Sequence, residues 1–314
     1  MKKAPKAKTA VKSLKSGRWT QIVNNDNIAG YFFILPWLIG FLSFTILPIF
    51  ASLFLSFTSY NLTSSPKWVG IENYVRMFTD DPLFFKSIKV TLYYVIFAVP
   101  LKVGFALLVA FLLHRRSRAA NFYRSVFYLP SLIGGSVAVA LIWKDIFSIN
   151  GPINSLLKIF GLKGVQWLGD PRFAIWTLIA MTVWQFGSSM IIFAAGLKQI
   201  PETYYEAAKI DGASRFHSFI YITLPSLSPV IFFNLVMQMI NAFMTFTQAF
   251  LITLGGPLDS TLFYALYLYR RAFAYFDMGY ASAMAWILLI IIAAVTALVF
   301  KSSQYWVYYE SKEK

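Results

Sequence analysis

The side chains best suited to chemistry in this sequence are neutral amides and hydroxyls inside apolar segments. In the segment 229–254, successive polar residues are four, three, four and three positions apart, which places them on one face of a helix. Amides beside aromatic rings suit a hydroxyl-rich solute such as a sugar, although the same amides could instead hold one helix or subunit against another. The polar residues of this face are Asn234, Gln238, Asn241, Thr245 and Gln248.

Polar residues also lie inside two other apolar segments. Gln185 and Ser188 lie three residues apart in the apolar segment 173–197, so they share a helical face. Lys102 lies within the segment 87–113, about 16 Å from its inner end at about 1.5 Å per residue. An unpaired ammonium at that depth is costly, so we expect Lys102 to face a cavity or to pair with a partner subunit.

Other kinds of chemistry find no support. The chain has no cysteine, which excludes thiolate metal sites and cysteine nucleophiles, and His114 and His217 lack the spacing of metal ligands. No phosphate-binding loop of the G-x-x-x-x-G-K-[ST] type is present. An ion-driven transporter would need carboxylates within the spans and internal repeats, and a membrane enzyme would need clustered catalytic carboxylates or a histidine motif. The sequence shows none of these features. The pair Asp80-Asp81 precedes a proline and is expected to be a helix cap or a solvated face.

The elements that must position these residues are membrane-spanning helices. Hydrophobic residues make up 58% of the 314 residues and charged residues 13%, far from the roughly 25% charged residues of a soluble domain. A spanning helix needs about 20 apolar residues. The sequence predicts an all-α membrane protein with spans near 28–57, 87–113, 122–147, 173–197, 229–254 and 279–300.

Basic residues predict the orientation. Lys and Arg recur through the tail 1–18 and in the loop 114–124, and such residues favour the cytoplasmic side. Both termini are therefore expected in the cytoplasm of a multi-pass protein. The net charge of +15 could suggest nucleic acid, but the charges are in the tail and between spans. The tail is expected to contact anionic membrane lipid, or to serve only to set the orientation of the spans.

The most informative loop connects the fourth and fifth spans. Residues 205–213 have the sequence YEAAKIDGA, and residues 222–225 have ITLP. Residues 204–210 favour a helix, Gly212 favours a turn at its C-terminal end, and Pro225 is expected to end a second short helix. This pattern resembles the EAA loop of bacterial ABC importer permeases. The resemblance implies that the loop docks on an ATPase subunit through Glu206, Ala207, Ala208, Asp211 and Gly212.

The resemblance extends over nearly the whole chain. Residues 70–74 are GIENY, residues 150–157 are NGPINSLL, and residues 255–257 are GGP, each like a segment of the six-span sugar permeases related to the maltose permease. Residues 70–74 are also expected to belong to a short amphipathic helix. The resemblance implies a type I ABC importer permease architecture. Residues 1–27 would be a cytoplasmic tail, residues 28–302 the transmembrane permease domain with its coupling loop 198–228, and residues 303–314 a second cytoplasmic tail.

The resemblance also implies a function and partners. The chain would be the permease subunit of an ATP-driven importer in the bacterial cytoplasmic membrane, and it would move a sugar or oligosaccharide by alternating access. It would bind no cofactor; two ATPase subunits would use ATP and Mg. A second homologous permease and an extracytoplasmic solute-binding protein would complete the complex. The substrate path would be lined by Gln185, Ser188, Gln238, Asn241, Thr245 and Lys102. The alternative is a non-sugar solute such as a glycerol phosphodiester.

Overall fold

The computed structural model describes residues 26–114 and 118–308, and these residues are largely helical. The basic tail 1–18 and residues 309–314 lie outside the described residues. The helices are α1 (Asp26–Phe41), α2 (Leu47–Ser56), α3 (Glu72–Thr79), α4 (Pro82–Leu112), α5 (Arg118–Ile133), α6 (Val137–Ile146), α7 (Pro152–Ile159), α8 (Pro171–Trp184), α9 (Gly187–Leu197), α10 (Glu202–Ile210), α11 (Arg215–Ser218), α12 (Leu224–Phe243), α13 (Tyr264–Tyr269) and α14 (Met278–Trp306).

Short irregular elements join several of these helices. A two-stranded antiparallel sheet pairs β1 (Thr58–Ser59) with β2 (Lys67–Trp68). Wide π-helical turns occupy Leu42–Ile46, Phe219–Thr223, Ala249–Thr253 and Arg270–Ala274. The chain divides into two compact units, and the boundary lies between Phe54 and Leu55.

The described residues contain four continuous helices that are long and apolar enough to span a membrane, or up to six spans if each of two bent helix pairs counts as one. The expected third span is broken, because α5 and α6 meet at 100° around Gly134 and Gly135. The expected fourth span bends by 42° between α8 and α9. Six segments of the right composition are therefore present, but two of them are not straight helices.

Helix α4 forms the centre of the second unit, where it packs against α8, α9 and α12. Ala98, Ala106 and Ala110 are buried and lie on one face of α4 because they are eight and four residues apart. Small side chains let helix backbones approach closely in membranes. Helices α9 and α12 also lie close together, since a Cβ on Gly196 would lie 3.0 Å from Leu227 and Val230.

Buried asparagines organise the loops between spans. Asn73 of α3 donates from Nδ2 to the carbonyl oxygens of Ser56 and Thr58, both at 2.9 Å. The short amphipathic helix expected near residues 70–74 is confirmed as α3. Asn154 of α7 is fully buried, and its Oδ1 accepts from the backbone amide of Val165 at 2.9 Å. Each amide thus satisfies loop backbone groups that would otherwise lack partners.

Candidate functional site

A polar cavity of about 230 Å³ opens among α4, α12 and the bend between α8 and α9. It brings together most of the residues predicted for the substrate path. Neutral side chains that can both donate and accept hydrogen bonds form much of its wall, and Phe246 contributes an aromatic ring. The predicted residues that line it are Lys102, Gln185, Gln238, Asn241 and Thr245.

Gln185 reaches the cavity because two broken spans meet there. It is the first residue after α8, and its Nε2 donates to the carbonyl oxygen of Gly134 at 3.2 Å. The hydroxyl of Ser131 donates to the Gln185 carbonyl oxygen at 3.1 Å. A Cβ on Gly134 would lie 2.4 Å from the Gln185 side chain, so only glycine permits this approach. The sequence contains the glycine, but only the fold shows what it contacts.

The polar face of the fifth span is shorter than the residue spacing predicts. Helix α12 ends at Phe243, so Thr245 and Gln248 lie beyond it and not on one continuous helix. The Thr245 hydroxyl donates to the Asn241 carbonyl oxygen at 3.4 Å. Even so, Gln238, Asn241, Thr245 and Gln248 all line the cavity, because residues 244–248, which follow α12, form part of its wall.

Ser188 and Asn234 are not among the residues that line the cavity. The backbone amide of Ser188 donates to the hydroxyl of Ser131 at 3.0 Å, a contact between α9 and α5. Asn234 is fully buried, and its Nδ2 donates to the Val230 carbonyl oxygen at 3.1 Å. The structure therefore places these two polar residues at packing positions in and between helices.

Lys102 lies in α4 and lines the cavity beside Val99, one turn earlier in the same helix. Among the described residues, no carboxylate lies within 4.0 Å of its amino group. It lies ten residues from the end of α4 at Leu112, about 15 Å along the helix axis. Lys102 therefore forms part of the cavity wall, and a pairing with a partner subunit stays a prediction.

The predicted coupling residues lie on α10 and on the turn that ends it. Gly212 has a φ of +75°, a conformation that favours glycine. The Gly212 amide donates to the Lys209 carbonyl at 3.2 Å, and the Ala213 amide donates to the Ala208 carbonyl at 2.8 Å, which is the Schellman pattern. Four of the five predicted coupling residues are exposed, namely Glu206, Ala207, Asp211 and Gly212, and Ala208 is half-buried.

The second part of this loop differs from the expected separate helix. Helix α11 continues through the π turn Phe219–Thr223 directly into α12, and Arg215–Phe243 forms one helical stretch of 29 residues. The expectation that Pro225 ends a short helix was wrong. The amide of Leu224 donates to the Phe219 carbonyl and closes the wide turn. Pro225 follows this turn inside the helical stretch, and local π adjustments of this kind let a membrane helix accommodate a proline.

A buried charge cluster lies at the other end of α4, and it could not be predicted from sequence. Asp81 caps α4, since its Oδ1 accepts from the amides of Leu83 and Phe84 at 3.1 and 3.2 Å. Its Oδ2 accepts from Nη2 of Arg271 at 3.0 Å. The helix cap expected at 80–81 is thus confirmed, but its partners are about 190 residues away. The hydroxyls of Tyr267 and Tyr280 also donate to Oδ2.

The charges of this cluster are held in fixed ionisation states. Burial raises the pKa of Asp81, but hydrogen bonds from Tyr267 and Tyr280 and the positive charge of Arg271 outweigh it, so the pKa lies below the ordinary 3.8. Burial also raises the pKa of Tyr267. The carboxylate is therefore charged and the tyrosine neutral at physiological pH. The cluster ties the start of α4 to α13 and α14.

Comparison with known proteins identifies the family. Residues 90–308 match the family described as "Binding-protein-dependent transport system inner membrane component". The chain belongs to this family. The predicted resemblance to sugar-importing ABC permeases, and the predicted all-α membrane fold, are both confirmed.

Relatives and a solved structure agree with this assignment. The chain is 57% identical over 93% of its length to the probable ABC transporter permease protein YesP of Bacillus subtilis, and the match covers 96% of that protein. It is 30% identical over 88% of its length to the lactose transport permease LacF of Rhizobium radiobacter, covering 95% of LacF. A chain of a bacterial alginate ABC transporter, solved with an alginate pentasaccharide-bound periplasmic protein, has the same fold. The TM-score is 0.75 at 22% sequence identity, and the match covers 92% of this chain and 97% of that chain.

Proposed function

We propose that this chain moves a saccharide into the cytoplasm by alternating access, driven by ATP hydrolysis in separate ATPase subunits. The observation that carries the proposal is the continuous helical stretch Arg215–Phe243. One of its ends follows the exposed α10 loop, and its other end carries Gln238 and Asn241 into the polar cavity. From Arg215 to Gln238 the helix spans about 35 Å at about 1.5 Å per residue. A push on α10 can therefore be transmitted to the cavity wall.

The exposed apolar side chains around α10 suit a protein partner. Ile210 is 87% exposed and Phe216 is 69% exposed, and both are near the turn at Gly212. Apolar side chains of this size, rimmed by charges such as Glu206 and Lys209, are typical of an interaction surface. We assign this surface to an ATPase subunit. In a chain of six spans, this assignment puts α10 and both termini on the cytoplasmic side, as the basic residues also predict.

The cavity suits a saccharide as the solute. Its amides and hydroxyls can bond to sugar hydroxyls in either direction, and Phe246 offers an apolar surface to a ring face. The name of LacF specifies lactose, and the alginate transporter was solved with a periplasmic protein that holds an alginate pentasaccharide. A second permease subunit and a solute-binding protein complete the proposed complex. These relatives do not favour the alternative of a glycerol phosphodiester.

The test uses two glycines in matched turns. Gly212 ends α10, and Gly161 ends α7 with the same pair of bonds, at 3.0 Å from the Gly161 amide and 2.9 Å from the Leu162 amide. Their φ angles are +75° and +72°, and neither has a neighbour within 4 Å of an added Cβ. Valine at either position therefore introduces the same backbone strain of about 1–2 kcal/mol.

Transport into proteoliposomes, ATPase activity and co-purification of the ATPase subunits are measured for Gly212→Val and Gly161→Val. We expect Gly212→Val to lose transport and to lose ATPase stimulation or co-purification, because it distorts the docking surface. Gly161→Val should retain both. Normal transport by Gly212→Val, or equal losses in the two variants, would defeat the coupling assignment.

A further inference from the structure

The cavity contains a single charged side chain among the described residues that line it. All of the others are amides, hydroxyls, glycine or apolar groups, and Lys102 is the exception. Its helix contributes Val99 to the same wall, so the lysine is part of the cavity surface and not of a lipid-facing one. The charge is therefore a feature of the solute path and not of the membrane interface.

Nothing on the described residues neutralises this charge. The four ion pairs among them involve Arg76, Lys86, Arg172 and Arg271, and Lys102 is in none. The cavity can hydrate the ammonium while it is open. When a solute fills a cavity of about 230 Å³ and displaces that water, the ammonium loses its solvation, which is costly without a counter-charge.

A neutral sugar offers hydroxyl oxygens to Lys102 but no negative charge. An acidic saccharide offers a carboxylate or a comparable anionic group, and a charge-assisted hydrogen bond to it is roughly twice as strong as a neutral one. We infer that the solute is a saccharide with an acidic group that pairs with Lys102, while its hydroxyls bond to Gln185, Gln238 and Asn241. The inference rests on the proposed function and narrows its substrate class.

The experiment measures which of two kinds of saccharide the transporter imports from a mixture. The complete complex with its binding protein is reconstituted in proteoliposomes and offered a hydrolysate mixture with equal amounts of neutral and uronate oligosaccharides. Imported solutes are identified by mass spectrometry. The preferred solute is then used with Lys102→Gln, Lys102→Arg and the control Lys89→Gln. Lys89 is exposed, lies on the same helix and has no ion pair among the described residues.

We expect a uronate oligosaccharide inside the vesicles. Lys102→Gln should slow its import about tenfold or more, since a bond to a charged group is lost, whereas Lys102→Arg should retain most of the rate and Lys89→Gln all of it. Import of only neutral saccharides, an unchanged rate in Lys102→Gln, or an equal loss in Lys102→Arg would overturn the inference and leave the proposed function intact. Import of no saccharide by the unaltered complex would overturn the proposed function itself.

Discussion

Replacing Asp81 by asparagine removes the negative charge of the buried cluster while an oxygen that can cap α4 remains. Asparagine keeps an oxygen that can cap α4, and it is as good a cap as aspartate. The NH2 group that takes the place of Oδ2 removes the negative charge that faces Arg271, and it also removes the acceptor for the hydroxyls of Tyr267 and Tyr280. The side chain of Asp81 is 3% exposed and that of Arg271 is 19% exposed, so the guanidinium is left largely buried without a counter-charge.

The expected cost follows from this burial. Breaking a buried ion pair by removing one partner costs about 3–5 kcal/mol. Arg271 retains its positions over the rings of Tyr267 and Tyr280, with 5.2 and 4.9 Å to the ring centroids, and it keeps some contact with solvent. The lower value, about 3 kcal/mol, therefore applies. A loss of about 3 kcal/mol raises the equilibrium constant for local opening on the order of 100-fold.

Hydrogen exchange of the purified protein in detergent measures that opening. In Asp81→Asn, the protection of backbone amides in α13 and at the start of α14 should fall about 100-fold, because these elements lose their anchor on α4. The matched control is Asp80→Asn, which removes the same charge from an exposed neighbour. Equal protection in the two variants would refute the reasoning that the buried pair holds this end of the molecule together.

Two further outcomes follow from the same structure. The depressed pKa of Asp81 means that its contribution to stability is full above the ordinary carboxyl pKa of 3.8 and is lost as pH falls through the lower pKa of the folded protein. The difference in amide protection between Asp81→Asn and the unaltered chain should therefore be constant from about pH 5 to 8 and shrink in acid. A difference that varies between about pH 5 and 8 would contradict the assignment of a depressed pKa to Asp81. Gly134→Ala should displace Gln185 and slow transport, because the added Cβ would lie 2.4 Å from that side chain. Gly104→Ala is the control, since Gly104 is exposed on α4, is not among the residues that line the cavity and has nothing within 4 Å of an added Cβ, and it should transport normally.

Much of the fold follows from local features of the sequence. The apolar segments are long because each must cross the hydrocarbon core, and they are helical because each must satisfy its own backbone hydrogen bonds there. Their number and approximate positions could therefore be predicted. Short signals also sufficed for the cap at Asp81, for helix α3 and for the turn at Gly212, since each depends on neighbours within a few residues. The family resemblance could be recognised for the same reason, because the YEAAKIDGA loop is contiguous.

Tertiary structure decided what those residues face. The spacing of Asn234, Gln238 and Asn241 predicted one polar face, but the end of α12 and the packing against α4 determine that Gln238 and Asn241 reach the cavity while Asn234 is buried. The pairing of Asp81 with Arg271 joins residues 190 positions apart. The sequence by itself thus determined which helices form and the family to which they belong, because those depend on local composition and motif. Only the packing of the helices determined the cavity and the buried ion pair, because each is made by side chains that are distant in the chain.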